Sequence, residues 1–202
     1  MRYNNLCTFP HERTKVTFPY AWLDDMFTSE ELDKITAHCD AGETKEGTVL
    51  GGPSQHRVCQ LSFHTWTQET GWIFDRLLNR LADMNNRWYG FELNGFESFQ
   101  YTVYHASEAG KYDWHMDLCM GPDCLPVGMI EPRKLSMTLL LNDDFKGGEF
   151  QIHTGREDEA TTVEMKKGRV IIFPSWVVHR VKPVTEGVRR SLVVWITGPK
   201  FI

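Results

Sequence analysis

No run of apolar residues in the chain approaches the roughly 20 needed to cross a bilayer. The opening stretch MRYNNLCTFPHERTKVTF also lacks the long apolar core of a secretory signal. These two absences predict a soluble, cytoplasmic protein. A basic excess is missing as well, since 22 Lys and Arg stand against 27 Asp and Glu, for a formal charge of -5. That balance works against broad attraction to nucleic acid or to an anionic membrane surface, and neither is expected as a partner. The five cysteines, Cys7, Cys39, Cys59, Cys119 and Cys124, are an odd number, which favours reduced thiols over a disulfide framework. Only Cys119 and Cys124 stand close together, and without a second Cys/His pair at zinc-finger spacing they do not define a structural zinc site. No internal repeat, low-complexity tract or break in composition divides the 202 residues, of which 41% are apolar and 12% aromatic. One domain spanning 1–202 with a single sizeable core is the expectation.

Helical signals come first. Thr28 followed three residues later by Glu31 reads as a capping box opening a helix to about His38, with Leu32 and Ile35 on its core side. Between about Gln68 and Trp88, Ile73, Leu77, Leu81, Met84 and Trp88 recur at three- and four-residue steps, the spacing of an amphipathic helix bracing a sheet. Asp40–Gln55 is rich in Gly and polar residues and reads as a long surface loop. From about Phe96 the pattern changes to short β-branched and aromatic runs: FQYTVYH, KLSMTLLLN, GEFQIH, TTVEM, RVIIFP, VVHRVKPV and RRSLVVWIT. The predicted architecture is mainly β with supporting α-helices: helical support over about 21–90, and a jelly-roll core over about 91–202.

Within KYDWHMDLC, His115 and Asp117 are one residue apart, and alternate side chains of an extended strand share a face. An imidazole and a carboxylate then converge on one point. His179, in the apolar segment FPSWVVHRVKPV, supplies a second imidazole where an uncompensated one would cost free energy. Two histidines and one carboxylate leave the other positions of a metal open, the arrangement of non-haem Fe(II) oxygenases. The remaining histidines, His11, His38, His56, His64, His105 and His153, have no such context and read as ordinary polar residues.

A cation follows ten residues after His179. Arg189 shares a strand face with Ser191, so that a guanidinium and a hydroxyl can jointly grip a carboxylate, whereas Arg190 points to the opposite face. Trp114 and Trp176, adjacent to strand ligands, are expected to face away from the metal and pack the sandwich. Tyr112 suits either the pocket or the core. Gly147 and Gly148 look like a tight turn with no catalytic role.

Taken in order, Tyr104, YDWHMD, LLLNDDFKGGEF and KKGRVIIFPSWVVHRVKPVTEGVRRSLVVWI resemble the prolyl 4-hydroxylase-like branch of the 2-oxoglutarate/Fe(II) dioxygenases, particularly its short microbial members. The resemblance is strong over about Phe96–Phe201 and looser over the leading helices. It implies a double-stranded β-helix of the cupin-like kind, with His115, Asp117 and His179 as iron ligands and Arg189 as the 2-oxoglutarate anchor. Tyr104 matches a tyrosine that touches the cosubstrate in relatives. The chain departs from the pattern in two places: collagen-type members often carry lysine where Arg189 stands, and some relatives have a tyrosine near Leu140, for which Ser191 or Thr138 would compensate here. Halogenases of the superfamily replace the metal-binding acid with a small residue, so Asp117 argues for hydroxylation.

The implied activity is oxidative decarboxylation of 2-oxoglutarate to succinate and CO2, coupled to C–H hydroxylation with O2, and with ascorbate as a reductant. The expected substrate is a prolyl residue in a peptide or protein, over which the segments Asp40–Gln55 and Leu118–Arg133 would close. Two alternatives stand beside it: a hydroxylase of a free amino acid or other small metabolite, and a non-redox cupin-like metal- or ligand-binding module.

Overall fold

In a computed structural model of the protein, the described residues are 2–3, 6–7, 19–49, 55–118, 131–153, 155 and 160–199. In chain order, the elements run β1 (Arg2–Tyr3), β2 (Leu6–Cys7), β3 (Ala21–Leu23), α1 (Ser29–Asp40), β4 (Lys45–Glu46), β5 (Arg57–Val58), β6 (Gln60–Thr65) and α2 (Gly71–Trp88). They continue as β7 (Ser98–His105), a 3-10 turn at Ala106–Glu108, β8 (Lys111–His115), β9 (Arg133–Leu140), β10 (Phe145–Gly147) and β11 (Phe150–His153). The last are β12 (Ala160–Thr162), β13 (Val170–Pro174), β14 (His179–Val181) and β15 (Val184–Thr197).

Both predicted helices form. The Thr28 hydroxyl accepts from the Glu31 amide at 3.2 Å while the Glu31 carboxylate accepts from the Thr28 amide at 2.8 Å, closing the capping box. α2 begins at Gly71 rather than Gln68, because Thr67 and Thr70 hydrogen-bond each other and build a turn just ahead of it. Arg76 of α2 pairs with Glu31 of α1 at 3.0 Å, tying the two helices together.

An eight-stranded sheet runs in the order β3-β13-β9-β15-β7-β6-β4, with β10 also paired to β15, and a five-stranded sheet runs β12-β11-β14-β8-β5. The two sheets make the jelly roll. Alternation along the strands of the larger sheet divides its side chains between two cores. Phe99, Tyr101, Met137, Leu139, Leu192 and Val194 face the helices with Ile35 and Leu77. Tyr104, Phe150, Ile171, Phe173 and Val181 fill the space between the sheets.

The leading segment does more than support. β3 to β6 enter both sheets, and β4 lies inside the stretch expected to be a structureless loop, pairing Lys45 with Leu61. A two-residue strand carries too little pattern to be read from sequence. Residues 50–54 of that loop, 119–130 of the second expected lid, and Cys119, Cys124 and His11 lie outside the described residues. Cys39 and Cys59 are buried and free. Among the described residues, no helix is long and apolar enough to cross a membrane.

Candidate metal centre and cosubstrate pocket

β14 lies against β8 with His179 opposite His115, which brings residues far apart in the chain to one point between the sheets. Asp117 does not extend the strand. β8 ends at His115, and the next turn is held by the Asp117 and Leu118 amides, both donating to the Ser175 carbonyl at 3.0 and 2.7 Å. Asp117 Oδ1 lies 3.7 Å from His115 Nε2 and Oδ2 lies 3.6 Å from His179 Nε2. Ligand atoms of the three residues all fall within 4.8 Å of one another, a group able to hold one metal ion.

The other ring nitrogens determine which nitrogens face inward. His115 Nδ1 is 2.8 Å from the Asp113 carbonyl and His179 Nδ1 is 2.9 Å from the Val177 carbonyl. A carbonyl only accepts, so each Nδ1 carries the proton and each Nε2 presents a lone pair to the common point. Burial, reinforced by the charge of His179, holds the His115 pKa down to about 4. Burial alone would raise the Asp117 carboxyl, but His179 and His115, helped by the Ser136 hydroxyl, outweigh it and keep the pKa below the ordinary carboxylate value. The set is therefore ready for a divalent cation at neutral pH. Because the folded state takes up the His115 proton only near pH 4, and the unfolded chain near 6.5, the metal-free protein should lose stability as pH falls through that window. Thermal midpoints recorded across it check the sign, and a midpoint that rises on acidification contradicts it.

Strict alternation would turn Tyr112 away from His115. A register shift places Val181 opposite Tyr112 while His179 is opposite His115, so three steps on β8 match two on β14, a β-bulge. It brings Tyr112 onto the face of His115, with ring centroids 3.5 Å apart. Trp114 is turned outward, as expected, but packs on the outer surface, with Arg180 4.4 Å from its ring and His153 edge-on at 5.5 Å. Trp176 packs edge-on against Phe91 instead of approaching the metal group.

The same pocket continues from the three ligands to Arg189, lined also by Arg57, Gln100, Tyr104, Thr138, Phe150 and Ser191. All four residues expected at the cosubstrate, Arg189, Ser191, Tyr104 and Thr138, are thus brought together with the metal group. Arg189 is 1% exposed, and its Nη1 donates to Ser191 Oγ at 3.1 Å. Its Nη2 is buried without a partner among the described residues. A buried guanidinium with an idle donor is costly, and a carboxylate is the group that satisfies it bidentately. Tyr104 stands beside it, with the guanidinium 5.5 Å from its ring, and burial pushes the phenol upward, so it remains a neutral donor. Leu140, paired with Ser191 in register, adds no polar group. Arg190 points the other way and meets Asp40 at 3.3 Å.

Gly148 does more than turn the chain. Its φ is +65°, and a Cβ there would stand 2.8 Å from Arg189 Cδ. Gly148→Ala is expected to cost about 1–3 kcal/mol of stability and to raise the KM for 2-oxoglutarate by displacing the guanidinium. An unchanged KM in steady-state succinate assays would show that Arg189 does not depend on this glycine. Sequence reading missed Arg57, Gln100 and Ser136. The available signal was the polar pair Gln100 and Thr102 alternating with Phe99, Tyr101 and Val103, which marks a wet inner face on an otherwise apolar strand.

Two imidazoles and a carboxylate facing one point in a jelly roll, with a buried guanidinium at the far end of the same cavity, define a non-haem metal site of the oxygenase type. Residues 99–197 match the model of the 2OG-Fe(II) oxygenase superfamily. A PKHD-type hydroxylase of Bordetella pertussis is 29% identical over 182 residues, covering 86% of this chain and 76% of its own. The crystal structure of a Pseudomonas putida prolyl-4-hydroxylase superposes with a TM-score of 0.69 at 19% identity, over 91% of this chain and 95% of that one. A Trichoplax adhaerens prolyl hydroxylase, in complex with a hypoxia inducible factor oxygen degradation domain peptide fragment, gives 0.72 at 16% identity, over 90% and 84%. The chain is a 2-oxoglutarate- and Fe(II)-dependent dioxygenase, with Fe(II), 2-oxoglutarate and O2 as its cofactor and cosubstrates.

Proposed function

We propose that this enzyme hydroxylates a prolyl residue in a peptide or protein, as a single catalytic domain in which His115, Asp117 and His179 hold the iron. Arg189 and Ser191 take the distal carboxylate of 2-oxoglutarate, with Tyr104 and Thr138 along its flank. The observation that carries the reading is the unpartnered, fully buried Nη2 of Arg189, in the pocket that also contains the His-Asp-His group. The Pseudomonas and Trichoplax relatives support the choice of a prolyl substrate, the second through its peptide complex.

Iron bound there supplies the redox chemistry: one atom of O2 goes to succinate as CO2 leaves, and the other enters a substrate C–H bond as hydroxyl. The chain supplies geometry and electrostatics. His115 and His179 keep Nε2 bare through their carbonyl hydrogen bonds, and Asp117 offsets part of the metal charge. Ser136, hydrogen-bonded to Ser175 at 2.9 Å, holds the carboxylate in place from behind. Phe150 and Phe173, with ring centroids 5.6 and 4.6 Å from His179, keep the ligand side dry.

The test is succinate release from 2-oxoglutarate with Fe(II), ascorbate and a panel of proline-containing peptides. Turnover that rises with one peptide, and hydroxyproline recovered in that peptide, is the expected result. Ferrous binding without succinate release under any condition would make the non-redox module the better account.

A further inference from the structure

Three arginines away from the metal group find acids: Arg76 pairs with Glu31, Arg169 with Asp24 and Arg190 with Asp40. Around the metal group the charges do not match. Asp117 is the one acid among the described lining residues, where Arg189 and Arg57 also line the pocket and Arg133 stands beside Asp117. A divalent iron and a dianionic cosubstrate cancel, and the single charge of Asp117 offsets only one of the three arginines. Among the described residues, two positive charges of this group are left over, and Arg57 and Arg133 form no ion pair.

The placement of these two arginines is specific. The Arg57 guanidinium lies 4.6 Å from the Tyr112 ring, itself stacked on His115, and donates to the Gln100 side chain at 3.2 Å and the Thr48 carbonyl at 3.1 Å. Neither partner is charged, and Arg57 Nε is buried with no partner among the described residues. The Arg133 guanidinium lies 3.9 Å from the Trp195 ring and has no hydrogen bond or ion pair to a described residue. Burial disfavours its charge, Asp117 favours it, and Arg57 opposes it again. Two like charges held near each other in a half-buried corner cost free energy that an arriving anion recovers. Beside them Trp195 and Phe63, 6.5 Å apart and with Phe63 exposed, make an apolar shelf.

We propose that the primary substrate carries a carboxylate, taken up by the Arg57–Arg133 corner, while its apolar, hydroxylatable part lies on the Phe63–Trp195 shelf beside the metal. The inference rests on the oxygenase reading above and narrows its substrate. The carboxylate belongs either to a free α-amino acid or to the C-terminal residue of a peptide, two sources with one recognition chemistry.

The experiment measures succinate release by the Fe(II)- and 2-oxoglutarate-loaded enzyme with matched pairs. The pairs are the free amino acids, proline among them, against their amides, and proline-containing peptides with free against amidated C-termini. The acid form is expected to exceed its amide at least tenfold in kcat/KM. Arg133→Gln should erase that preference, Arg133→Lys keep part of it, and Arg180→Gln, on the outer face of the smaller sheet, leave it intact. Turnover of free amino acids points to a metabolite, and turnover confined to peptides with a free terminus points to a terminal residue. Equal rates on acid and amide, a preference that survives Arg133→Gln in a folded variant, or no acid that raises succinate above its substrate-free rate each overturn the proposal while leaving the oxygenase reading in place. Absence of even substrate-free succinate release overturns that reading and this proposal together.

Discussion

Replacing Arg189 with methionine is expected to raise the thermal midpoint of the metal-free protein while weakening 2-oxoglutarate use by more than about 100-fold. The two effects share one cause. Arg189 is a fully buried cation whose described hydrogen bond is to the neutral Ser191, with Nη2 idle. Exchanging buried charge for an apolar side chain of similar length is commonly stabilising by about 1–4 kcal/mol. In a chain of this size each kcal/mol moves the midpoint by roughly 2–4 °C. Loss of the guanidinium removes charge-assisted hydrogen bonds worth about 1.5–3 kcal/mol each from the cosubstrate complex. Scanning calorimetry and the KM for 2-oxoglutarate read the two sides. A lower midpoint would mean that Arg189 is a structural residue with a satisfied charge, and its role as an anchor would fall.

His115→Ala, Asp117→Ala and His179→Ala should each lower ferrous affinity by more than about 100-fold, since groups that merely orient metal ligands already cost 10–100-fold when removed. Succinate release should disappear with the metal. Asp117→Ala is the most informative, because it leaves two facing imidazoles with 4.1 Å between ring centroids and no counter-charge. Arg190→Ala, on the opposite face of β15, serves as the control and should leave turnover unchanged. Retained ferrous binding in the three variants, measured anaerobically by equilibrium dialysis, would place the metal elsewhere.

The chemistry of the site was legible because ligand types are fixed by chemistry and strand faces by period. Arg189 and Ser191 share a face and Arg190 does not, as alternation requires. The same rule failed at Tyr112, where the bulge changes the face, and at Asp117, which lies beyond the end of its strand. Gly148 read as a turn because its contact with Arg189 spans 41 positions of the chain, a distance over which local pattern carries no information.

Sequence alone determined the helices with their capping box, the two-faced strands of the larger sheet and the residue types proposed to hold the metal and the carboxylate. Each of these is encoded within a few neighbouring residues, by a hydrogen bond three positions away or by side-chain period. Only the tertiary structure decided that β14 lies on β8 so that His179 meets His115, that β3 to β6 enter the sheets, and which buried arginine nitrogens have no partner among the described residues. Pairing across a sheet and the choice of salt-bridge partner depend on which distant segments are brought together, and that is settled by burying both cores at once rather than by any stretch of chain on its own.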